Sequence, residues 1–499
     1  MSQFDSFVIK YRWIFVCLFL LPLTFLFETY NSLRNWFAFK FLSSPKKHAD
    51  RVANIQRQIA DWIADGRRQL LCTSRPGWTA MSLRIGRYKK SHRNIDIMHL
   101  KDVLEIDEQR RIARVEPMVT MGQLSRTLTP LGWTIPVVPE LDDLTVGGLI
   151  MGCGVESSSH VYGLFHSTCT AFELVLADGS LIRATESENS DLFYSVPWSH
   201  GTLGFLVSAE IKIIPAKRYV KLHYEPVYTQ EDMAKLFEKE SRDMTKNEFV
   251  EALVFSQTEA VVMTGKMTDE PGKTKINAIG KFWKPWFYTH VQNFLKSGPG
   301  EECVPLRDYY HRHTRSIFWE VQHIISFGNH PLFRYTLGWA MPPKLAFLKA
   351  FQTKKIKELY EQHHVTQDML VPIKTLADSI DVFHEEFNIY PLWACPMALP
   401  CPRGMVHAPR GDDNLYVDLG CYGVPESKTF HFRDSLRKVE AFVRKVKGFQ
   451  MLYADSFLTR GEFYEMFDHA LYNKVRSEFQ CENAFPVVYD KVSRQARTH

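Results

Sequence analysis

The chain has 499 residues, of which 45% are hydrophobic and 23% charged, with 61 Lys and Arg against 56 Asp and Glu. One core stops growing before that length, so two domains are expected, and the composition is that of a globular protein, neither disordered nor fibrous. The formal charge of +5 is small, and no basic run interleaves with aromatics, which argues against nucleic-acid binding; nine cysteines without CxxC or framework spacing argue against zinc, a redox dithiol or a disulfide scaffold.

The first element is an uncharged run, Trp13 to Phe27, flanked by Lys10 and Arg12 on one side and Glu28 on the other. Fifteen apolar residues are short for a full span, but Tyr11 and Tyr30 extend the run at the interfaces. A cleaved signal and a helix lying in the membrane surface are the alternatives; no small-residue cleavage pattern follows, and a single-pass anchor is the preferred reading. The flank after the run (Arg34, Lys40, Lys46, Lys47) is more basic than the one before it, where Asp5 opposes Lys10 and Arg12. The positive-inside rule therefore puts the large C-terminal part in the cytosol.

Ala49 to Ala64 reads as an amphipathic helix, with Val52, Ile55, Ile59 and Ile63 at three- and four-residue steps. Short strands and glycine turns then alternate to about residue 224. They begin with Leu70-Leu71-Cys72 before Arg75-Pro76-Gly77-Trp78-Thr79, followed by a strand over 111–115 and a helix over 121–131 with Thr120 as N-cap. Two apolar runs around Asp178-Gly179 predict a hairpin, because both residues tolerate left-handed turn geometry. Beyond Tyr224 the glycine motifs stop, and helix-period stretches such as 344–361 mix with strand candidates at 249–255 and 260–264.

The most informative segment is Leu144 to Phe165, LTVGGLIMGCGVESSSHVYGLF, with five glycines and three consecutive serines. Glycine permits close backbone approach to a bulky ligand, and short hydroxyls and exposed N–H groups suit phosphate oxygens. With the Arg75–Thr79 loop and the turn through Gly201 and Gly204-Phe205, this ordered series resembles the FAD domain of the vanillyl-alcohol-oxidase (PCMH-type) flavoproteins. The strings Pro139-Glu140-Leu141-Asp142-Asp143, Tyr162-Gly163-Leu164-Phe165, His311-Arg312-His313-Thr314-Arg315 and Phe449-Gln450-Met451-Leu452-Tyr453 are similar to the delta(24)-sterol reductase branch of that superfamily.

The resemblance implies an α+β protein in three parts: an anchor over 1–45, a PCMH-type FAD-binding domain over 48–224, and an α+β substrate or cap domain over 225–499 whose C-terminal helix returns to the flavin domain. It also implies FAD, NADPH as reductant, and a sterol substrate reduced at its delta-24 side-chain bond. The expected setting is the endoplasmic reticulum membrane, with the Golgi membrane as the alternative and other sterol-pathway enzymes as candidate partners. The cofactor-binding residues expected are Thr145, Gly147, Gly148, Cys153, Gly154, Val155, Glu156, Ser157, Ser158, Ser159, His160, Val161, Tyr162, Gly163, Leu164 and Phe165. No His stands in the Arg75–Thr79 loop, so FAD is expected to be non-covalent, with Cys153 and Cys169 the residues that would overturn this. No G-x-G-x-x-G fingerprint marks a nicotinamide site.

An isolated alkene resists direct hydride attack, so protonation of its less substituted carbon must come first, and that requires a general acid. His313 and Tyr310 are the leading candidates; Glu386, Tyr390, Tyr453 and Asp455 follow, and an arginine of the 312–315 cluster is available for a phosphate of NADPH. His363-His364 is a poor metal site, since adjacent helical residues point apart. A flavin oxidase or dehydrogenase of a sugar, alcohol or lactone is one competing function. A non-enzymatic, membrane-tethered flavin-fold protein is the other.

Overall fold

The computed structural model describes residues 10–42, 45–80 and 86–494. The first nine residues of the expected anchor, Asp5 among them, lie outside the described residues. The apolar run sits in a helix longer than its uncharged stretch, Lys10–Phe41. Its inner side, Val16, Cys17, Leu20, Leu21 and Thr24, is buried on the body of the protein. Polar contacts fasten it: Arg12 to the His323 carbonyl, Glu28 to Lys344, and Arg34 to Asp102 at 2.6 Å. Its other side leaves Phe15, Phe19, Leu26, Leu33 and Trp36 exposed.

The helix Pro45–Ala64 follows, burying Val52, Ile55, Ile59 and Trp62. A five-stranded antiparallel sheet comes next, in the order Val103–Asp107, Ile112–Val115, Phe205–Lys212, Cys169–Val175, Leu181–Thr185. The hairpin between its last two strands turns on Gly179, at φ +86°, with Ser180 N–H donating to the Asp178 carboxylate at 2.8 Å. Thr120 caps the helix Met121–Leu128 by accepting from Gln123 N–H.

The second sheet is larger. Its eight antiparallel strands run Gly300–Pro305, Tyr219–Val227, Ala260–Thr268, Phe249–Val254, Leu392–Ala398, Leu415–Gly423, Val365–Pro372, Phe449–Gln450. The helices Gln230–Arg242, Leu376–Glu386 and Phe432–Lys445 bury Phe237, Phe383 and Val439 in the surrounding core. The helix-period stretch over 344–361 is two helices, Leu345–Ala350 and Lys354–His363, because the chain leaves the helix at Phe351 and restarts at an N-cap, Thr353. Near the C-terminus the helix Ala470–Glu478 meets the first sheet's region: Tyr472 pairs with Thr202 at 2.6 Å and Arg476 donates to the Thr202 carbonyl at 2.8 Å.

One buried cation ties the first sheet's region to the second sheet. Arg312 donates to both oxygens of Glu251 at 2.6 and 2.7 Å, to Glu156 at 2.6 Å, and lies 4.4 Å over the Tyr309 ring. None of the three charged side chains is exposed beyond 1%. Arg312→Met is expected to cost about 3–5 kcal/mol, since it leaves two buried carboxylates without their cation. Denaturant unfolding of the purified protein reads the loss.

Candidate active site

The segment from Leu144 to Phe165 contains two kinds of glycine. A Cβ on Gly147 would lie 2.7 Å from Pro117, and one on Gly154 would lie 2.9 Å from both Leu149 and Phe165. Those two glycines are required by the packing of the protein itself. Gly148 is exposed, and the nearest atom to a Cβ there is the Thr145 hydroxyl at 3.0 Å. Its missing side chain therefore leaves room on the open side, where a ligand would lie.

The serine triplet behaves differently from the phosphate cradle its composition suggests. Ser157 bonds the Tyr309 hydroxyl at 2.9 Å, Ser158 donates to the Pro136 carbonyl at 2.8 Å, and Ser159 accepts from Glu156 N–H at 3.0 Å. His160 contacts the Asn247 carbonyl at 3.1 Å. Buried hydroxyls must find partners, and here the fold supplies them. Val155, Gly163, Leu164 and Phe165 are buried as well, whereas Cys153, Val161 and Tyr162 are half-buried.

Cationic side chains are concentrated at the Arg75–Thr79 loop. Arg75 spans from the Thr145 hydroxyl (3.1 Å) to the Thr79 carbonyl (3.0 Å), and its buried Nε has no partner among the described residues. Lys89 donates to the Thr73 and Arg75 carbonyls at 2.6 and 2.7 Å. Lys349 donates to the Gly77 and Ala80 carbonyls at 3.1 and 2.8 Å. Burial, and then its neighbour Arg75, pulls the Lys349 ammonium down to about 8. Burial lowers Arg75 and Lys89 also. The unpartnered Arg75 Nε is the donor available to an anion such as a pyrophosphate, and the charges of Lys89 and Lys349, held on the loop carbonyls, would favour it from either side. Neither Lys89 nor Lys349 carries any local sequence signal for this role.

The candidate acids are dispersed. His313 is fully buried, stacks 4.5 Å from Phe318, sits 3.3 Å from Glu251, and is pulled down to about 4 by burial, so its ring is neutral at pH 7. Tyr310 is buried against Thr134 at 3.1 Å, and burial raises its hydroxyl further. Arg315 is spent on the carbonyls of Lys281, Lys284 and Pro285. Arg312 is spent on the sheet junction, so neither arginine is left for a cofactor phosphate. Glu386 pairs with Lys438, Tyr390 with His384 and Asp455 with Arg494. His364 pairs with Glu320 at 2.8 Å. Tyr453 alone of these candidates is half-buried and hydrogen-bonded to a buried carboxyl, that of Asp368.

A family model described as an FAD binding domain matches residues 72–185, the stretch that holds both glycine loops. The chain is 56% identical to the Delta(24)-sterol reductase of Homo sapiens over 491 residues, covering 98% of this chain and 95% of that protein. A Caenorhabditis elegans protein named as a Delta(24)-sterol reductase homolog is 46% identical, covering 98% and 95%. The Delta(24)-sterol reductase of Arabidopsis thaliana is 40% identical, covering 99% and 93%. The chain belongs to the delta(24)-sterol reductase family. Within that family's flavin fold, the two glycines make separable demands. Gly148→Val is expected to unfold close to the flavin-free wild type, with only the Thr145 hydroxyl having to shift, and to strip the flavin absorbance from purified protein. Gly154→Val is expected to destabilise the fold by about 1–3 kcal/mol through overpacking. Full flavin occupancy in Gly148→Val would contradict the placement.

Proposed function

We propose that this protein reduces the delta-24 side-chain double bond of a sterol, with NADPH as reductant and FAD as the bound carrier. The observation that carries the reading is the near-full-length likeness to proteins named for that activity, combined with a glycine loop open at Gly148 that Arg75 of the cationic Arg75–Thr79 loop joins through Thr145. FAD, when bound, supplies the hydride chemistry that links nicotinamide to substrate.

The residues of the chain hold, orient and protect. Arg75, Lys89 and Lys349 take the pyrophosphate charge, and Thr145, Gly147, Gly148 and Cys153 line the approach. The segment from Gly154 to Phe165 forms the wall behind them, its serines tied into the fold. Residues 48–224 serve as the FAD-binding domain and 225–499 as the substrate domain. The cofactor is held without a covalent bond. The Arg75–Thr79 loop has no histidine, and burial together with Asp418 and Asp368 pushes the Cys153 thiol well up, so the nucleophilic thiolate is suppressed. Burial raises the Cys169 thiol also.

The apolar helix Lys10–Phe41 attaches the enzyme to the endoplasmic reticulum membrane as a single pass, with the catalytic body in the cytosol beside its NADPH supply. In spanning, the helix exchanges its contacts at Arg12 and Glu28 for burial of its aromatic face in lipid, where each buried side chain returns about 1.5–3 kcal/mol.

Two measurements test these statements. Detergent-purified protein is expected to show flavin bands that bleach with NADPH and return on adding a delta-24 sterol, with the yellow colour leaving the pellet on acid precipitation. Bands that ignore the sterol overturn the substrate, and colour kept in the pellet overturns non-covalent binding. On intact microsomes, an N-terminal tag is expected to resist added protease while the C-terminus is cut; cleavage of both ends would place the helix on the cytosolic surface instead.

A further inference from the structure

Behind the glycine loop lies a group of carboxyls that the reading above does not use. Asp418, Gly420 and Tyr422 alternate along one strand and so share a face of the larger sheet. Asp368 stands opposite Gly420 on the neighbouring strand, and Tyr422 donates to it at 2.5 Å. Gly420 is required there, because a Cβ would come within 2.8 Å of the Asp368 oxygen. Tyr453 bonds Asp368 from the other side and feels both Asp418 and Glu140.

Asp418 is completely buried, and neither of its oxygens has a partner among the described residues. An ionised carboxylate in that position would be prohibitively costly, so the group is held as the neutral acid. The groups that face the cluster are Glu140, Asp368, Asp418, Tyr422, Tyr453, Cys153 and Cys421, with Glu156 acting on Glu140 and Glu320 on Cys421. None is a cation. Arg312, which also acts on Glu140, is already shared between Glu156 and Glu251. Burial, opposed by its two tyrosines, leaves Asp368 pushed up to about 6, and Asp418 and Glu140 are raised much further. Cys153 and Tyr453 keep accessible surface where the carboxyls behind them have little or none. Tyr453 is thus the member of the cluster that both bonds Asp368 and keeps accessible surface.

We propose that Tyr453 and Asp368 form the proton relay of this reductase, with Asp418 and Glu140 as its buried reserve. The proposal rests on the sterol-reduction reading. The Tyr453 O–H bond breaks as a C–H bond forms at the less substituted alkene carbon, and Asp368 returns a proton to the Tyr453 oxygen in the same motion. The phenol therefore never has to exist as a phenolate, and the driving acid is the carboxyl. The positive charge left on the more substituted carbon is closed by the hydride that the reduction itself supplies. Solvent then restores one proton to the cluster per turnover. Tyr453 is the residue that meets substrate; Asp368 acts through it and is a positioning and proton-supplying residue.

The test uses full-length, flavin-loaded protein and the near-isosteric variants Tyr453→Phe, Asp368→Asn and Asp418→Asn. Infrared difference spectra of wild type at pH 7 are expected to contain a neutral-carboxyl C=O stretch that Asp418→Asn removes. Lack of that band in wild type overturns the proton store, whatever the turnover. In rapid mixing, Tyr453→Phe and Asp368→Asn are expected to bleach with NADPH at the wild-type rate. Their re-oxidation by a delta-24 sterol should slow roughly 100-fold or more, the scale of a lost general acid. In wild type that second step should weaken as pH rises through about 6, because only the protonated carboxyl donates, and Asp368→Asn should lose this dependence. Unchanged re-oxidation in both variants overturns the relay while leaving sterol reduction standing. A wild-type protein with the infrared band but no sterol-driven re-oxidation overturns sterol reduction itself, and the relay with it.

Discussion

One buried guanidinium governs how this molecule is assembled. Arg312 ties Glu156, on the glycine-rich loop of the first sheet's region, to Glu251, on an inner strand of the second sheet, with the Tyr309 ring beneath it. Trp393 donates to the same Glu251 at 2.9 Å, and His313 lies at 3.3 Å. Glu251 is driven well below the carboxylate range by Arg312 and His313 despite its burial, whereas burial leaves Glu156 raised. A junction of this kind is demanding, because each member is satisfied only when the others are in place. It therefore fixes where the back of the loop sits on the sheet, and with it the direction in which Gly148 and Cys153 face.

The charges around the two glycine loops are segregated. Arg75, Lys89 and Lys349 crowd one end, each lowered by burial. Glu140, Asp368 and Asp418 crowd the other, each raised by it. Like charges gathered in a desolvated place are unfavourable for the fold, and such arrangements persist where function uses them. The first end suits a bound anion. At the second, Asp418, fully buried with no partner for either oxygen among the described residues, holds its proton at neutral pH. Between them stand the segments whose side chains are already committed to the protein, so the loop is a rigid divider more than a set of ligating groups.

Much of the local structure could be read directly. The three- and four-residue apolar steps of Val52, Ile55 and Ile59 appear as the buried side of the helix Pro45–Ala64, Thr120 caps its helix, and Asp178-Gly179 turns its hairpin. Each of these depends on residues within one or two turns of chain. The contacts of the serine triplet could not be read for the opposite reason: its hydroxyls answer to Tyr309, Pro136 and Glu156, and Tyr309 lies about 150 positions away. The partners of the His311–Arg315 cluster were hidden in the same way. Five polar residues in a row suggested chemistry, yet Arg312 and Arg315 are structural ties and His313 is core.

The glycine-rich loop and the apolar N-terminal helix came from residue types and spacing, and the family with its α+β class from the resemblance of short strings, because the backbone or hydropathy demands of such strings are local. The partners of those strings could not be read that way. Lys349 reaches the Gly77 carbonyl from 272 positions away, and Asp368 meets Tyr422 from 54. Only sheet register and domain packing bring such groups together. Which glycine faces open space, which arginine is buried, and which carboxyl keeps its proton all depend on desolvation, and desolvation is a property of the packed chain and of no segment by itself.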